Sequence, residues 1–152
     1  MSYDATLGGG GWTVGDIKPP VQGAEGFPTA GTAGYPAGAT PVHAFATGAN
    51  APLAPSLPGV AGKTTYITGF EITSGGATAA ALGGATLSGV LGGSIFYIFD
   101  VPAGAALTSR GLIVTFDPPI PASALNTAIA MAVPATGAGN LQTNCALHGF
   151  QL

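Results

Sequence analysis

Charge is the scarcest property of this chain: its 152 residues include three lysines or arginines and six acids, so charged residues make up 6%. Roughly 25% is usual for soluble domains. A surface with so few charges is poorly soluble if all of it faces water, which predicts that much of the chain lies against partners or lipid. The three cations, Lys18, Lys63 and Arg110, are far apart in sequence. They form no basic patch for a phosphate backbone, so nucleic-acid binding is not expected.

Cysteine and histidine are almost as rare. Cys145 is the single cysteine, which excludes a disulfide within the chain. His43 and His148 are far apart in sequence, and a metal site would need two or three further ligands. Cys145 and His148 have CxxH spacing, but on the strand predicted there the two side chains face opposite sides. We therefore expect no metal ligands and no cofactor.

Motifs for catalysis are also missing. Asp100 and Asp117 each end a predicted strand beside a proline, where aspartate is ordinary turn chemistry and not half of a catalytic carboxylate pair. The glycine runs at 8–11 and 137–140 lie in no strand–GxGxxG–helix context and end in no GK[ST]. The N-terminus has no basic segment followed by an apolar one, which predicts no secretory signal. We expect a protein with no catalytic residues that is not an enzyme.

Residues 1–40 are predicted to be an extended, mostly irregular arm rich in glycine and proline. No charged residue occurs between Gly26 and Gly62, and prolines recur where they restrict the backbone and remove donors. A disordered linker is one interpretation of such a composition. Scattered aromatic residues favour the other interpretation, an arm that docks on a neighbouring subunit.

Residues 41–152 are predicted to be a separate β domain. Lys63–Thr73 alternates like a half-buried strand, with Tyr66, Phe70 and Ile72 on one face. Thr65, Ile67, Glu71 and Thr73 fall on the other face, which is expected to front solvent or a subunit. Glycine pairs at 75–76, 83–84 and 92–93 recur at the spacing of turns. Short runs cut at that spacing predict an antiparallel sandwich or barrel of about eight strands.

Further strands are predicted at 42–48, 51–57, 94–101, 111–116, 127–133 and 144–152, with two short β-like runs at 77–82 and 85–91 between the glycine pairs. The first two are expected at sheet edges, and the prolines at 118 and 119 are expected to close the strand that starts at Gly111. The strand at 94–101 is apolar on both faces, with Phe96 and Ile98 opposite the core-facing side. A strand of that kind has one face in the core and the other against a second sheet or a subunit.

A membrane span is the competing interpretation of one stretch. Residues 72–99 carry no charge, and a segment of that length could cross a bilayer as a helix. Three glycine pairs would weaken such a helix, and no lysine or arginine belt flanks it. Turns explain the glycines better, so no membrane partner is expected.

Four phrases carry a family resemblance: GKTTYITGFEITSGGAT (62–78), VPAGA (101–105), TFDPPIPASALNTAI (115–129) and VPATGAGNLQTNCALHGFQL (133–152). Together they resemble small virion proteins of the decoration or cement type, encoded among the head genes of tailed bacteriophages. The resemblance covers roughly residues 41–152. It implies an all-β fold, an antiparallel and jelly-roll-like β-sandwich, forming trimers on an icosahedral shell.

A protein of this class would be a non-enzymatic part of the virion, made in the host cytoplasm and placed on the head surface. It would stabilise the head by bridging subunits of the major capsid protein, and its second partner would be itself, as a homotrimer. We expect the arm to hold the capsid through Trp12, Phe27 and Tyr35. The expected subunit interface is formed by small and aromatic residues of two strands: Phe96, Ile98, Ala128, Ala130 and Ala132.

The alternative is a receptor- or glycan-binding head of a phage fibre or tail, or a trimeric lectin-like module. In that case exposed loops such as Thr136–Asn144 would contact host glycans. Copy number and location in the particle distinguish the two functions.

Overall fold

A computed structural model describes residues 35–104 and 111–152 of the chain. The predicted arm residues Trp12 and Phe27, and most of the arm itself, therefore lie outside the described residues. The strands all fall within the unit Thr40–Leu152. In chain order they are β1 (Thr40–Gly48), β2 (Ser56–Leu57), β3 (Thr65–Ser74), β4 (Ala81–Val90), β5 (Gly93–Val101), β6 (Leu112–Pro121), β7 (Ile129–Ala132) and β8 (Thr143–Gln151).

The strands form two four-stranded antiparallel sheets that face each other as a jelly roll. The first sheet has the order β1-β8-β3-β6 and the second has the order β2-β7-β4-β5. Successive strands thus alternate between the two sheets, except at the β4–β5 hairpin, as in the double Greek key of jelly-roll domains. The predicted all-β, antiparallel, jelly-roll-like sandwich is confirmed. The predicted edge positions of β1 and β2 are confirmed as well.

The core lies between the two inner faces and is built from alternating apolar side chains. Phe70 of β3 meets Tyr97 of β5 edge to face, with ring centroids 4.8 Å apart. Ile129, Met131 and Val133 are fully buried on the inner side of the second sheet, as their alternation predicts. Burying a side chain of this size contributes roughly 1.5–3 kcal/mol each. Apolar burial is therefore what holds the two sheets together.

A β-bulge at Thr68 overturns the predicted faces of β3. The pairing of β3 with both neighbours shifts between Ile67 and Gly69. One extra residue reverses the alternation, so that Ile67, on one side of the bulge, and Phe70, on the other, both point into the core. Thr65 is also buried. The prediction that Thr65 and Ile67 front solvent or a subunit was wrong, whereas Glu71 and Thr73 do lie on the outer face.

Two predicted boundaries also differ from the structure. The Gly83–Gly84 pair was predicted to be a turn but lies inside β4. It can do so because aromatic rings from β5 cover it on both faces: Phe99 covers Gly83, and Phe96 covers Gly84. The prolines after Asp117 do not end β6, which continues to Pro121 as an edge strand, where missing donors are tolerated.

The uncharged stretch 72–99 forms the end of β3, all of β4 and most of β5. Within residues 35–104 and 111–152 there is no helix with the length and apolar character that crossing a bilayer requires.

Candidate functional site

The outer side of the second sheet carries an apolar surface, which we call the apolar face and define by Leu82, Phe96, Ile98, Ala130 and Ala132. Phe96 and Ile98 are 64% and 59% exposed, and Leu82 is 75% exposed. Thr86 of β4 pairs with Phe96 on one side and with Ala132 on the other, so these three residues form one row across the sheet. The structure therefore brings together the aromatic and alanine residues that the sequence predicted for a subunit interface.

The shape of the apolar face follows from its small residues. The ring of Phe96 leans across the sheet and lies over Gly84, in the space that a β-carbon there would occupy. Ala130 and Ala132 project outward because Ile129, Met131 and Val133 take the inner positions. Ala128 is exposed just before β7 and continues the same alternation. Because these residues are small, the surface is shallow, and another protein surface could pack closely against it.

Leu82 is a residue of the apolar face that the sequence did not predict. It was assigned to the end of a separate short run, since Gly83–Gly84 was interpreted as a turn. In the structure it lies on β4 opposite Asp100 of β5. Asp100 is the one charge on this side among the described residues, and it sits near the end of β5. The signal that could have found Leu82 was the unbroken alternation with Gly84 and Thr86.

Of the predicted arm residues, Tyr35 is the one that the structure describes. Its side chain is half-buried, and it precedes the first strand. Its contact with a capsid stays a prediction, as do those of Trp12 and Phe27.

A groove of about 250 Å³ lies on the outer side of the first sheet, beside the bulge. Glu71, His148, Thr68 and Thr115 supply its polar side chains. His43 of β1 lies directly opposite His148 of β8. No group of three or more metal-binding side chains occurs in residues 35–104 and 111–152. The groove combines one carboxylate with one imidazole on an open sheet surface.

Cys145 lies on the inner side of the same sheet and is fully buried, while His148 is exposed. The prediction that the two face opposite sides is confirmed. Burial, with a smaller effect of the nearby Glu71 carboxylate, raises the pKa of the Cys145 thiol to about 12. The thiol is therefore protonated at neutral pH and is a core side chain, since the nucleophile and metal ligand is the thiolate.

In the loop considered for glycan contact, several polar side chains form hydrogen bonds within the protein. Asn140 is 4% exposed, and its amide donates to the carbonyl oxygen of Gly75 at 2.6 Å. Its side-chain oxygen accepts from the backbone of Asn50 and from the hydroxyl of Thr143. The hydroxyl groups of Thr136 and Thr143 form a hydrogen bond, with their oxygens 3.0 Å apart. These groups fasten the end of the sandwich and are not presented to a ligand, whereas Leu141 and Gln142 are exposed.

Comparison with protein-family models found no match, and neither a curated protein nor a solved structure matches the chain.

Proposed function

We propose that this chain is a non-enzymatic structural protein of a virion, a decoration or cement protein on the head of a tailed bacteriophage. It binds the major capsid protein, associates with itself as a homotrimer and bridges capsid subunits. The jelly roll gives support by analogy, because viral capsid domains use this architecture, although lectin domains use it too.

The apolar face is the observation that carries the proposal. Leu82, Phe96 and Ile98 expose large apolar side chains together on one sheet, among small residues and with a single charge at the margin. Contiguous apolar surface of this kind marks a site of protein association. Its flat, alanine-lined part suits a broad contact with another protein, whereas sites for small substrates are concave.

A surface of this type performs the cement function through mass action. A protein that binds the assembled shell and not its separate subunits shifts the equilibrium towards the shell. No covalent chemistry is needed, and each copy adds its own binding free energy. The arm would add reach to a neighbouring subunit, with Trp12, Phe27 and Tyr35 as its proposed capsid contacts.

The decisive experiment measures how many copies of this chain each virion contains. Quantitative mass spectrometry of purified virions would measure the molar ratio of this chain to the major capsid protein. The proposal expects hundreds of copies per particle, and it expects them in the head fraction and not in the tail fraction when virions are taken apart. A few copies that follow the tail would contradict it and favour the receptor- or glycan-binding alternative, which a glycan array with the isolated protein would then test.

A pair of leucine variants tests the surface itself. Leu82→Lys places a charge on the apolar face, and Leu141→Lys places the same charge on the loop before β8, at a site that is 68% exposed. Binding to heads stripped of the protein should weaken at least tenfold for Leu82→Lys and stay unchanged for Leu141→Lys. The reverse order would place the contact on the loop and refute the apolar face.

A chain that lacks residues 1–40 should remain a folded trimer and lose head binding.

A further inference from the structure

Strand β5 is an edge strand, and among residues 35–104 and 111–152 no strand pairs with its free side. It has nine residues and pairs with β4 on one side alone. An edge strand presents a row of backbone N–H and C=O groups that can pair with another chain. Natural proteins commonly protect such edges with proline, charge, bulges or short strands.

The other three edges carry those protections. Strand β2 has two residues and lies between Pro55 and Pro58. Strand β6 contains three prolines and an aspartate in its second half. Strand β1 contains Pro41 and the ionisable His43. Strand β5 has no proline, and its one charge, Asp100, is its penultimate residue. The contrast within one sandwich singles out β5 as the edge left open.

We propose that β5 pairs antiparallel with β5 of a second copy of this chain, about a two-fold axis at Tyr97. In such a pair the outer face of each sheet must continue into the outer face of the other, so outward residues face outward residues. Centring the axis on Tyr97 places Phe96 opposite Ile98 and Ser94 opposite Asp100 of the second copy. An aromatic residue opposite a β-branched one is a favourable cross-strand pair, and the two Asp100 carboxylates lie at opposite ends.

The neighbouring registers that keep the faces matched are poorer. An axis at Ile98 places Asp100 opposite Phe96, which puts a charge against a ring. An axis at Phe96 places Ile98 opposite Ser94 and leaves Asp100 and Val101 beyond the start of the facing strand at Gly93. The side-chain pattern of β5 therefore complements itself best at Tyr97.

The consequence is one continuous sheet made from the four strands of each copy. Phe96 and Ile98 of both copies would form a single apolar strip across the junction. The contact uses the backbone edge and leaves the outer face of both sheets open. It is therefore additional to the proposed virion function and does not depend on it.

Cysteine cross-linking tests the register in the full-length chain. Phe96→Cys and Ile98→Cys change exposed side chains, while the native Cys145 is fully buried. Each variant would be oxidised alone and in an equal mixture, and linked peptides would be identified by mass spectrometry. The proposal expects a 96–98 disulfide that forms in the mixture at least tenfold more than either self-linked product. Two residues at 96 are diagonal neighbours in this register, too far apart for a disulfide.

Products linked 96–96 or 98–98, or no linkage above a dilute control, would overturn the proposal. A matched pair of lysine variants gives an independent measurement. Ile98→Lys and Ile113→Lys both charge an exposed isoleucine of an edge strand, on β5 and on the proline-containing β6. Sedimentation velocity should show at least a tenfold rise in the dissociation constant of the two-fold contact for Ile98→Lys and no change for Ile113→Lys. This contact is recognised because it doubles the mass of the monomer or of the proposed trimer. Equal behaviour of the two variants would refute pairing at β5, whatever the outcome of the head-binding experiment.

Discussion

The ring of Phe99 occupies the space that a side chain at Gly83 would need. Gly83 of β4 and Phe99 of β5 are directly paired, and Phe99 is 5% exposed within the core. A β-carbon at Gly83 would overlap the end of that ring. The glycine is thus required by its neighbour and not by the geometry of a turn, and the ring in turn covers the bare backbone.

We predict that Gly83→Ala destabilises the domain by about 1–3 kcal/mol, the usual range for overpacking a filled core. Gly84→Ala is the matched control, because the ring above it belongs to Phe96, which is 64% exposed and can swing into solvent. That variant should change the free energy of unfolding by less than about 1 kcal/mol, the scale of replacing glycine by alanine in a strand. Urea unfolding of both variants measures the difference. Equal losses would show that Phe99 can move as freely as Phe96.

The sequence predicted the fold best where alternation runs unbroken. In β5 and β7 each residue was assigned to its observed face, because both the pattern and the pleat have a period of two. The faces of β3 were predicted wrongly before Thr68. The apolar residues change parity between Ile67 and Phe70, but the bulge that brings both into the core is set by pairing with β6 and β8. The turn predicted at Gly83–Gly84 was wrong for a similar reason. The aromatic rings that cover the two glycines belong to another strand, so the sequence around the glycines does not reveal them.

Deleting Thr68 should test that bulge directly. Without the extra residue, either the side that holds Ile67 or the side that holds Phe70 must turn outward, and each exposes a fully buried side chain. We expect loss of cooperative unfolding, read by near-ultraviolet circular dichroism and a denaturant titration. Thr68→Val keeps the residue count at a half-buried position and should stay within about 1 kcal/mol of the parent. A deletion variant that unfolds as cooperatively as the parent would contradict the prediction.

Asn140→Ala should destabilise the end of the sandwich by roughly 2–4 kcal/mol. The side-chain amide donates to the Gly75 carbonyl, and its oxygen accepts from the backbone of Asn50 and from the buried hydroxyl of Thr143. The substitution removes these hydrogen bonds, each worth about 0.5–1.5 kcal/mol. Gln142→Ala, two residues along the same loop at an exposed side chain, is the control and should be close to neutral. Thermal unfolding of the two variants compares them, and similar shifts would mean that water replaces the lost contacts.

The buried thiol of Cys145 should make stability fall at alkaline pH. Folding raises the pKa of the thiol from 9.0 to about 12, first because of burial and then because of Glu71. Below pH 9 the thiol is protonated in both states and its contribution is fully present. As the pH rises from 9 towards 12 the unfolded chain loses the proton while the folded chain keeps it, so the unfolded state is favoured.

Comparison with Cys145→Ala isolates this effect from every other group, because the two proteins share all of them. The stability advantage of the parent over Cys145→Ala, measured by urea unfolding, should shrink steadily from pH 8 to pH 10.5. The native thiol should also react slowly with a disulfide reagent at pH 8 and rapidly in urea, because its side chain is fully buried. An advantage that stays constant with pH would show that the thiol ionises equally in both states, and hence that water reaches it between the two sheets.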